Sequence, residues 1–321
     1  MTTKKIAFMF PGQGSQVVGM GSELAKAYSV ARHVFEEVND ALSEDLFKIM
    51  QEGPDDFLKM TRNAQPALFA TSLAGVRVIE HELGEKLSEL GAAAAGHSLG
   101  EYSAMAASDC LSIGSGARLL RQRGDAMQTA VPIGEGAMAA ILGADEGQIV
   151  QIIDEAKETG LVQIANDNAP GQIVISGESA SISASIEIAK KMGIRRAINL
   201  PVSAPFHCDL MEPAAEAMKL ALQNAKIGNS LIPIYCNVTA EQETKSEALR
   251  NNLFLQITSR VRWRETLMAM NEFGVNTFIE VGTGRVLSGL VKRCIENASF
   301  SNLDKSADLG NVLSLIKGSP T

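Results

Sequence analysis

The sequence is poor in cysteine and histidine, has no excess of positive charge and contains no long apolar run. Its four cysteines, Cys110, Cys208, Cys236 and Cys294, stand far apart, with no Cys-x-x-Cys pair. That spacing argues against a metal site or a disulfide framework and fits reduced cytosolic thiols. No apolar stretch reaches the length of a bilayer span. The first residues, Met1-Thr2-Thr3-Lys4-Lys5, carry no signal-peptide apolar region, so a cytoplasmic protein is expected. Lys and Arg total 29 against 37 Asp and Glu, a net charge of −8. Such a chain has no general attraction for nucleic acid or an anionic membrane. Any acidic partner must meet a local basic patch. Repeats and low-complexity tracts are absent too.

What is present is a 321-residue chain, 45% apolar, enough for one large domain or two modest ones. Strand-like segments at 5–10, 92–95, 232–236 and 277–281 alternate with helical patterns at 22–41, 65–82, 99–107, 115–130, 212–224, 254–259, 263–273 and 286–295. The helix at 65–82 is expected to enter at Pro66. Alternation of this kind predicts a parallel sheet covered on both faces. The middle differs. Strands at 136–142, 162–165, 172–176 and 196–201 enclose helices at 146–158 and 180–192, the β-α-β-β-α-β order of a ferredoxin-like unit. Asp167–Gly171 reads as the turn between its central strands. The expected fold is α/β: a larger α/β-hydrolase-like domain with a parallel sheet, from residues 1–129 and 203–321. A smaller ferredoxin-like α+β subdomain, 130–202, is inserted in it. Residues 301–321 read as loosely held.

The most informative motif is Gly96-His97-Ser98-Leu99-Gly100, directly after Ala92–Ala95. Glycines two residues either side of a serine, between strand and helix, form a nucleophile elbow. The serine is thereby set at a helix N-terminus, which favours developing negative charge. Ser98-x-x-Glu101 also fits a helix capping box. A serine needs a base, and the usual one is histidine. Of the four histidines, His33 and His81 sit among charged neighbours, and His97 should leave the elbow in another direction. That leaves His207, in a loop stiffened by Pro201 and Pro205. Asp209, a backbone carbonyl or an amide side chain could orient it. With His207 as the base, the rate is expected to fall as the ring protonates, and a flat profile from pH 5 to 8 would count against histidine.

Pro11-Gly12-Gln13-Gly14-Ser15 and Gly282-x-Gly284 both fail the dinucleotide fingerprint, because Val17 and Leu287 stand where the third glycine belongs. A loop this rich in glycine would still bring a backbone N–H near Gln13 up to a ligand, and with the N–H of Leu99 supply two oxyanion donors. Arg118 and Arg121 read as surface residues, and so, on the residues alone, does Arg123, which precedes a possible helix bend at Gly124.

Six segments together resemble one family over nearly the whole chain: Phe8–Gln16, Gly96–Tyr102, Arg123-Gly124-x-x-Met127-Gln128, Asn168-x-Pro170-Gly171-Gln172, Ala204-Pro205-Phe206-His207 and Glu280-Val281-Gly282. The family is the malonyl-CoA:acyl carrier protein transacylases, in their free-standing bacterial form. The resemblance implies Ser98 as the acylated nucleophile and His207 as general base and acid. It implies the Gln13 and Leu99 N–H groups as the oxyanion hole, and Arg123 as the clamp on the malonyl carboxylate. Gln256 matches a position whose main chain orients the histidine. Asn168, His97 and Phe206 match supporting positions, and Phe206 could narrow the pocket against a branched malonyl group. Malonyl-CoA and an acyl carrier protein are the implied substrate and partner, with no metal and no cofactor beyond the carrier's phosphopantetheine. Departures are small: Ser108-Asp109-Cys110 after the elbow helix, and Arg260 where proline often stands.

An acidic carrier needs cations to dock on. Lys190, Lys191, Arg195 and Arg196, or Lys292 with Arg293, are the candidates. A monomer is expected, since no long apolar seam is evident. A serine hydrolase is the competing reading; it shares Ser98 and His207 but has no use for Arg123. A non-catalytic carrier-binding domain would need neither.

Overall fold

Ile6–Phe10 is apolar and buried at every position, as a strand covered on both faces must be. The computed structural model describes residues 4–202 and 204–318. The first three residues, the expected domain limit at 203 and the last three residues of the tail lie outside the described residues. In chain order the strands are β1 (Ile6–Phe10), β2 (Ala93–Gly96), β3 (Gly136–Leu142), β4 (Val162–Ala169), β5 (Gln172–Glu178), β6 (Arg196–Asn199), β7 (Ile234–Tyr235), β8 (Gln242–Glu243), β9 (Thr277–Val281) and β10 (Ser299–Leu303).

They make two sheets. The first runs β10-β9-β1-β2-β7-β8. Its first five strands are parallel, and β8 pairs antiparallel with β7 at the edge. The period of two along β1 divides the core. Ile6, Phe8 and Phe10 join the larger apolar cluster with Leu68 and Phe69, whereas Ala7 and Met9 join Trp263, Leu267 and Phe278. The mixed α/β architecture is the one expected, apart from the antiparallel edge.

The second sheet runs β4-β5-β3-β6, antiparallel throughout. Helices Glu146–Ala156 and Ser179–Lys191 make its crossings. Ile141, Ile152, Ile175 and Ile182 pack among themselves, while Met138, Ala165 and Val174 belong to the main cluster. One face of the small sheet therefore rests on the large unit. The two are also joined through the backbone. Asp167 N–H donates to Val261 O at 2.9 Å, and Val261 N–H to Ala165 O at 2.8 Å. Arg264 grips the buried Asp167 carboxylate through Nε at 3.0 Å and Nη2 at 2.8 Å.

Several expectations are corrected. The tail is not loose: β10 pairs with β9, and helix Leu309–Lys317 buries Leu309 and Val312. The helix expected to enter at Pro66 begins at Thr61, because Thr61, Asn63, Ala64 and Gln65 are already buried. Pro66 lies inside the helix and cannot donate to the Arg62 carbonyl. The span 22–41 is two helices, Ser22–Ala27 and Ser29–Leu42, broken at the extended Tyr28. A helix at 254–259 is replaced by the end of Ser246–Leu255, which frees Gln256 for other bonds. β4 runs through Ala169, so Asp167 is a strand residue and the turn is Pro170-Gly171. Among the described residues, no helix is long and apolar enough to cross a membrane.

Candidate active site

The elbow after β2 works because two positions have no room for a side chain. A Cβ on Gly96 would lie 1.8 Å from the carbonyl carbon of Gly100, and one on Gly100 2.3 Å from the oxygen of Phe10. The chain therefore folds back on itself at the end of β2, and helix Gly100–Ala107 starts against the end of β1. Ser98 sits at the bend with φ 52°, a left-handed conformation uncommon for serine. Asn237 staples the turn: its Oδ1 accepts from Ser98 N–H at 2.7 Å and its Nδ2 donates to Gly96 O at 2.7 Å. The capping-box reading fails. Ser98 Oγ faces His207, and the Glu101 carboxylate accepts from Asn237 N–H at 2.9 Å.

His207 Nε2 lies 2.7 Å from Ser98 Oγ. Its Nδ1 lies 2.9 Å from the main-chain oxygen of Gln256. A carbonyl can only accept, so Nδ1 carries the hydrogen and Nε2 presents its lone pair to the serine. His207 also has a left-handed backbone, φ 60°. Burial, and then repulsion from Arg123, lowers its pKa from 6.5 to about 3. Asp209 plays no part in orienting the ring: its carboxylate accepts from Gln163 Nε2 at 2.8 Å. His33 and His81 are exposed. His97 turns away to Asn168, Nε2 to Oδ1 at 2.8 Å, beside the Trp263 ring.

Arg123 is 1% exposed. It reaches the serine because helices Thr61–Leu83 and Ile113–Thr129 cross at Gly124, where a Cβ would meet Arg62 Cα at 2.6 Å. The helix runs unbroken through that position, and the glycine permits the close crossing. Arg123 Nη1 donates to Gln65 Oε1 at 2.9 Å, and Nη2 to Gln256 Oε1 at 2.9 Å and Ser98 Oγ at 3.1 Å. Among the described residues its Nε has no hydrogen-bond partner and no carboxylate forms an ion pair with the guanidinium. Burial lowers its pKa, yet a guanidinium remains charged at neutral pH. The guanidinium lies 5.9 Å from the Tyr102 ring centroid. Arg121, expected at the surface, is 8% exposed and donates to Asn63 Oδ1 and Glu44 Oε2. Arg118 is exposed.

Of the other expected residues, Leu99 immediately precedes helix Gly100–Ala107, so its N–H is one that the helix leaves without an internal acceptor. Gly12 packs directly on the elbow, since a Cβ there would lie 2.8 Å from His97 O. That contact sets the Gly12-Gln13 loop against the elbow, and the Gln13 side chain donates to Thr61 Oγ1 at 3.4 Å. Phe206 is buried next to the base. Lys190, Lys191, Arg195, Arg196, Lys292 and Arg293 are all exposed. Arg293 is engaged with Pro170 O and Gln172 Oε1, and Arg260 with Glu265. The sequence reading missed Gln65, Asn237 and the true partners of Glu101. A groove of about 1010 Å³ between helices Ile113–Thr129 and Glu212–Asn224 includes neither Ser98 nor His207. Among the described residues, no cluster of His, Cys, Asp or Glu could hold a metal ion. The Ser98–His207 pair, beside a buried cation, can take up and release an acyl group that carries negative charge.

The profile of the acyl transferase domain family matches residues 7–311. The malonyl CoA-acyl carrier protein transacylase of Bacillus subtilis is 46% identical over 293 residues, 90% of each chain. Among solved structures, the acyl-carrier-protein S-malonyltransferase of Bartonella henselae superposes with a TM-score of 0.95. It is 48% identical over 98% of this chain and 99% of that one. A malonyl-transacylase solved in complex with its type II polyketide acyl-carrier protein gives a TM-score of 0.93 at 39% identity, over 98% of this chain and all of that one.

Proposed function

Because this chain belongs to the malonyl CoA-acyl carrier protein transacylases, acyltransferases of the acyl transferase domain family, we propose that it moves malonyl groups from malonyl-CoA to the phosphopantetheine thiol of an acyl carrier protein. Fatty acid or polyketide synthesis would use the product. One observation carries the mechanism: an imidazole at 2.7 Å and a guanidinium at 3.1 Å converge on the same serine oxygen.

His207 Nε2 takes the proton of Ser98 Oγ as that oxygen attacks the thioester carbonyl. The oxyanion is met by the N–H groups of Leu99 and Gln13. Collapse breaks the C–S bond, and the imidazolium returns its proton to the departing CoA sulfur. The carrier's thiol then repeats the sequence in reverse, giving its proton to His207 and releasing Ser98. Throughout, the free carboxylate of malonyl pairs with Arg123. Acetyl lacks that group and would leave the buried cation unpaired, which supports selectivity for malonyl. His97 and Asn168 support the elbow, and Phe206 narrows the cleft against branched acyl groups.

The carrier docks on a basic patch, Lys190, Lys191, Arg195 and Arg196 or the end of helix Val286–Cys294. The chain's own residues supply the chemistry, and it acts as a monomer in the cytoplasm, which suits its free cysteines.

The test is intact-mass measurement after mixing with malonyl-CoA. Addition of one malonyl group to the wild type and none to Ser98→Ala is expected. Release of free malonate with no trapped adduct would favour the hydrolase reading instead.

A further inference from the structure

Gln256 bears on three groups of the site at once. Its main-chain oxygen holds His207 Nδ1, and its side-chain Oε1 holds Arg123 Nη2, both at 2.9 Å. Its Nε2 donates to Ser98 O at 3.1 Å and to Glu101 Oε2 at 2.9 Å. The two ends of a glutamine amide are almost the same size, so packing alone does not choose between the observed orientation and its flip. Bonding does. Flipped, the amide would set its NH2 against the guanidinium and its oxygen against two acceptors.

We propose that Glu101 is a positioning residue of the acyl transfer site, which acts through Gln256 by fixing that amide so its oxygen faces Arg123. The proposal rests on the role given to Arg123 above and deepens it. Glu101 is fully buried on the first turn of the elbow helix. Among the described residues it forms no ion pair, so charge pairing does not account for it. Its Oε2 instead gathers two donors, Asn237 N–H at 2.9 Å and the Gln256 amide. Among the described residues its Oε1 has no hydrogen-bond partner. Whatever proton the carboxyl holds can sit on Oε1, away from both donors. Oε2 is then an acceptor whether the group is ionised or not, and the orienting function survives protonation. Burial, opposed by those two hydrogen bonds, by Arg123 and by the Cys236 thiol, raises the Glu101 pKa to about 7, which makes such indifference useful at working pH.

The arrangement also explains why a carboxyl serves better here than a simple apolar residue. Among the described residues, Arg123 is hydrogen-bonded to neutral groups: the Gln65 amide, the Gln256 amide and the Ser98 hydroxyl. A carboxylate in direct contact would occupy the cation that the substrate needs. Placed one amide away, Glu101 steers the clamp without filling it.

The experiment compares Glu101→Gln and Glu101→Leu, each alone and combined with Gln256→Met, in the malonyl-CoA half-reaction, following the concentration dependence of Ser98 acylation. Glu101→Gln keeps an acceptor at the Oε2 position and should lose no more than about threefold. Glu101→Leu should lose about thirtyfold, chiefly as a raised KM for malonyl-CoA, since the base remains held by a main-chain carbonyl. Combined with Gln256→Met, which has no amide to orient, either change should cost almost nothing further. Losses that persist undiminished in the Gln256→Met background, or a Glu101→Gln loss as large as that of Glu101→Leu, would overturn the proposal. If Glu101→Leu does not fold, the Glu101→Gln cycle decides alone: a loss well above threefold, or one that survives Gln256→Met, overturns it. Failure of the wild type to acquire a malonyl group would instead remove the function proposed above.

Discussion

The main-chain oxygen of Gln256 receives the Nδ1–H of His207 at 2.9 Å, where a serine triad would have an acidic side chain. A carbonyl orients the ring and fixes its tautomer, but it brings no full negative charge. Hydrogen bonds to the Gln256 and Ser259 main chain favour the imidazolium, but burial and Arg123 outweigh them. A malonyl carboxylate paired with Arg123 would change that balance. It would neutralise the repelling cation just when, in the proposed mechanism, His207 accepts the serine proton, so the acid group of the substrate would assist its own transfer.

That relationship alters the expected pH dependence. With its pKa near 3, His207 is already neutral at pH 5. kcat/KM for the malonyl-CoA half-reaction, which reports the free enzyme, should be level from pH 5 to 8 and fall only in stronger acid. Quenched-flow mass spectrometry over that range checks it. An inflection near 6.5, as an ordinary histidine predicts, would mean that the ring is solvated in solution.

Arg123→Ala should lose malonyl transfer by about a hundredfold or more, the scale of removing one member of a buried charge pair, about 2–5 kcal/mol. Acetyl transfer should be spared or improved. Arg123→Lys should not restore malonyl transfer, because one ammonium cannot span Gln65 and Gln256 as the planar fork does. Equal losses for acetyl- and malonyl-CoA would show that the arginine only supports the fold.

Gly100→Ala should cost about 3 kcal/mol or more, since its methyl would lie 2.3 Å from the Phe10 oxygen and both elements are fixed by the sheet. The measurement is a denaturant titration. A midpoint within error of the wild type would mean that the elbow can shift to admit a side chain.

Glu101→Gln gives a stability prediction with a definite sign. The Glu101 pKa in the fold is about 7, against 4.5 as its ordinary value. A raised carboxyl contributes stability in full below pH 4.5 and loses it as pH rises through 7. Arg123, across the Gln256 amide, and the Cys236 thiol are the ionisable groups that bear on it. His207, whose pKa is lowered, contributes in full above pH 6.5 and loses that contribution as pH falls toward 3, but it is common to both proteins. The melting temperature of Glu101→Gln relative to wild type should therefore climb between pH 4.5 and 8. Parallel melting curves over that range would refute the shift.

The parts legible in the sequence were those with local causes. The elbow announces itself because its two glycines and its serine lie within five residues, and their reason, the backbone contact at Gly96 and Gly100, lies in the same turn. The histidine was reachable by elimination because there are only four. Arg123 was not legible from chemistry alone. An arginine on a helix looks the same whether solvent or another helix covers it, and what buries Arg123 is the crossing at Gly124. Arg121 was misplaced for the same reason. Asn237 and Gln65 reach the site from 139 residues beyond Ser98 and from 58 before Arg123, distances over which no periodicity acts. At the C-terminus, the half-polar SFSNL of β10 hid an edge strand, since it pairs with one neighbour and is buried only at Asn302 and Leu303.

Arg123, sealed from solvent and hydrogen-bonded among the described residues to neutral groups, would make the unloaded protein the unfinished member of such a cycle. Arrival of a malonyl group on Ser98 would complete an interior that folding leaves electrically open, so the charged intermediate should melt at a higher temperature than the empty one. For as long as it is carried, the cargo would serve as part of its carrier's own core.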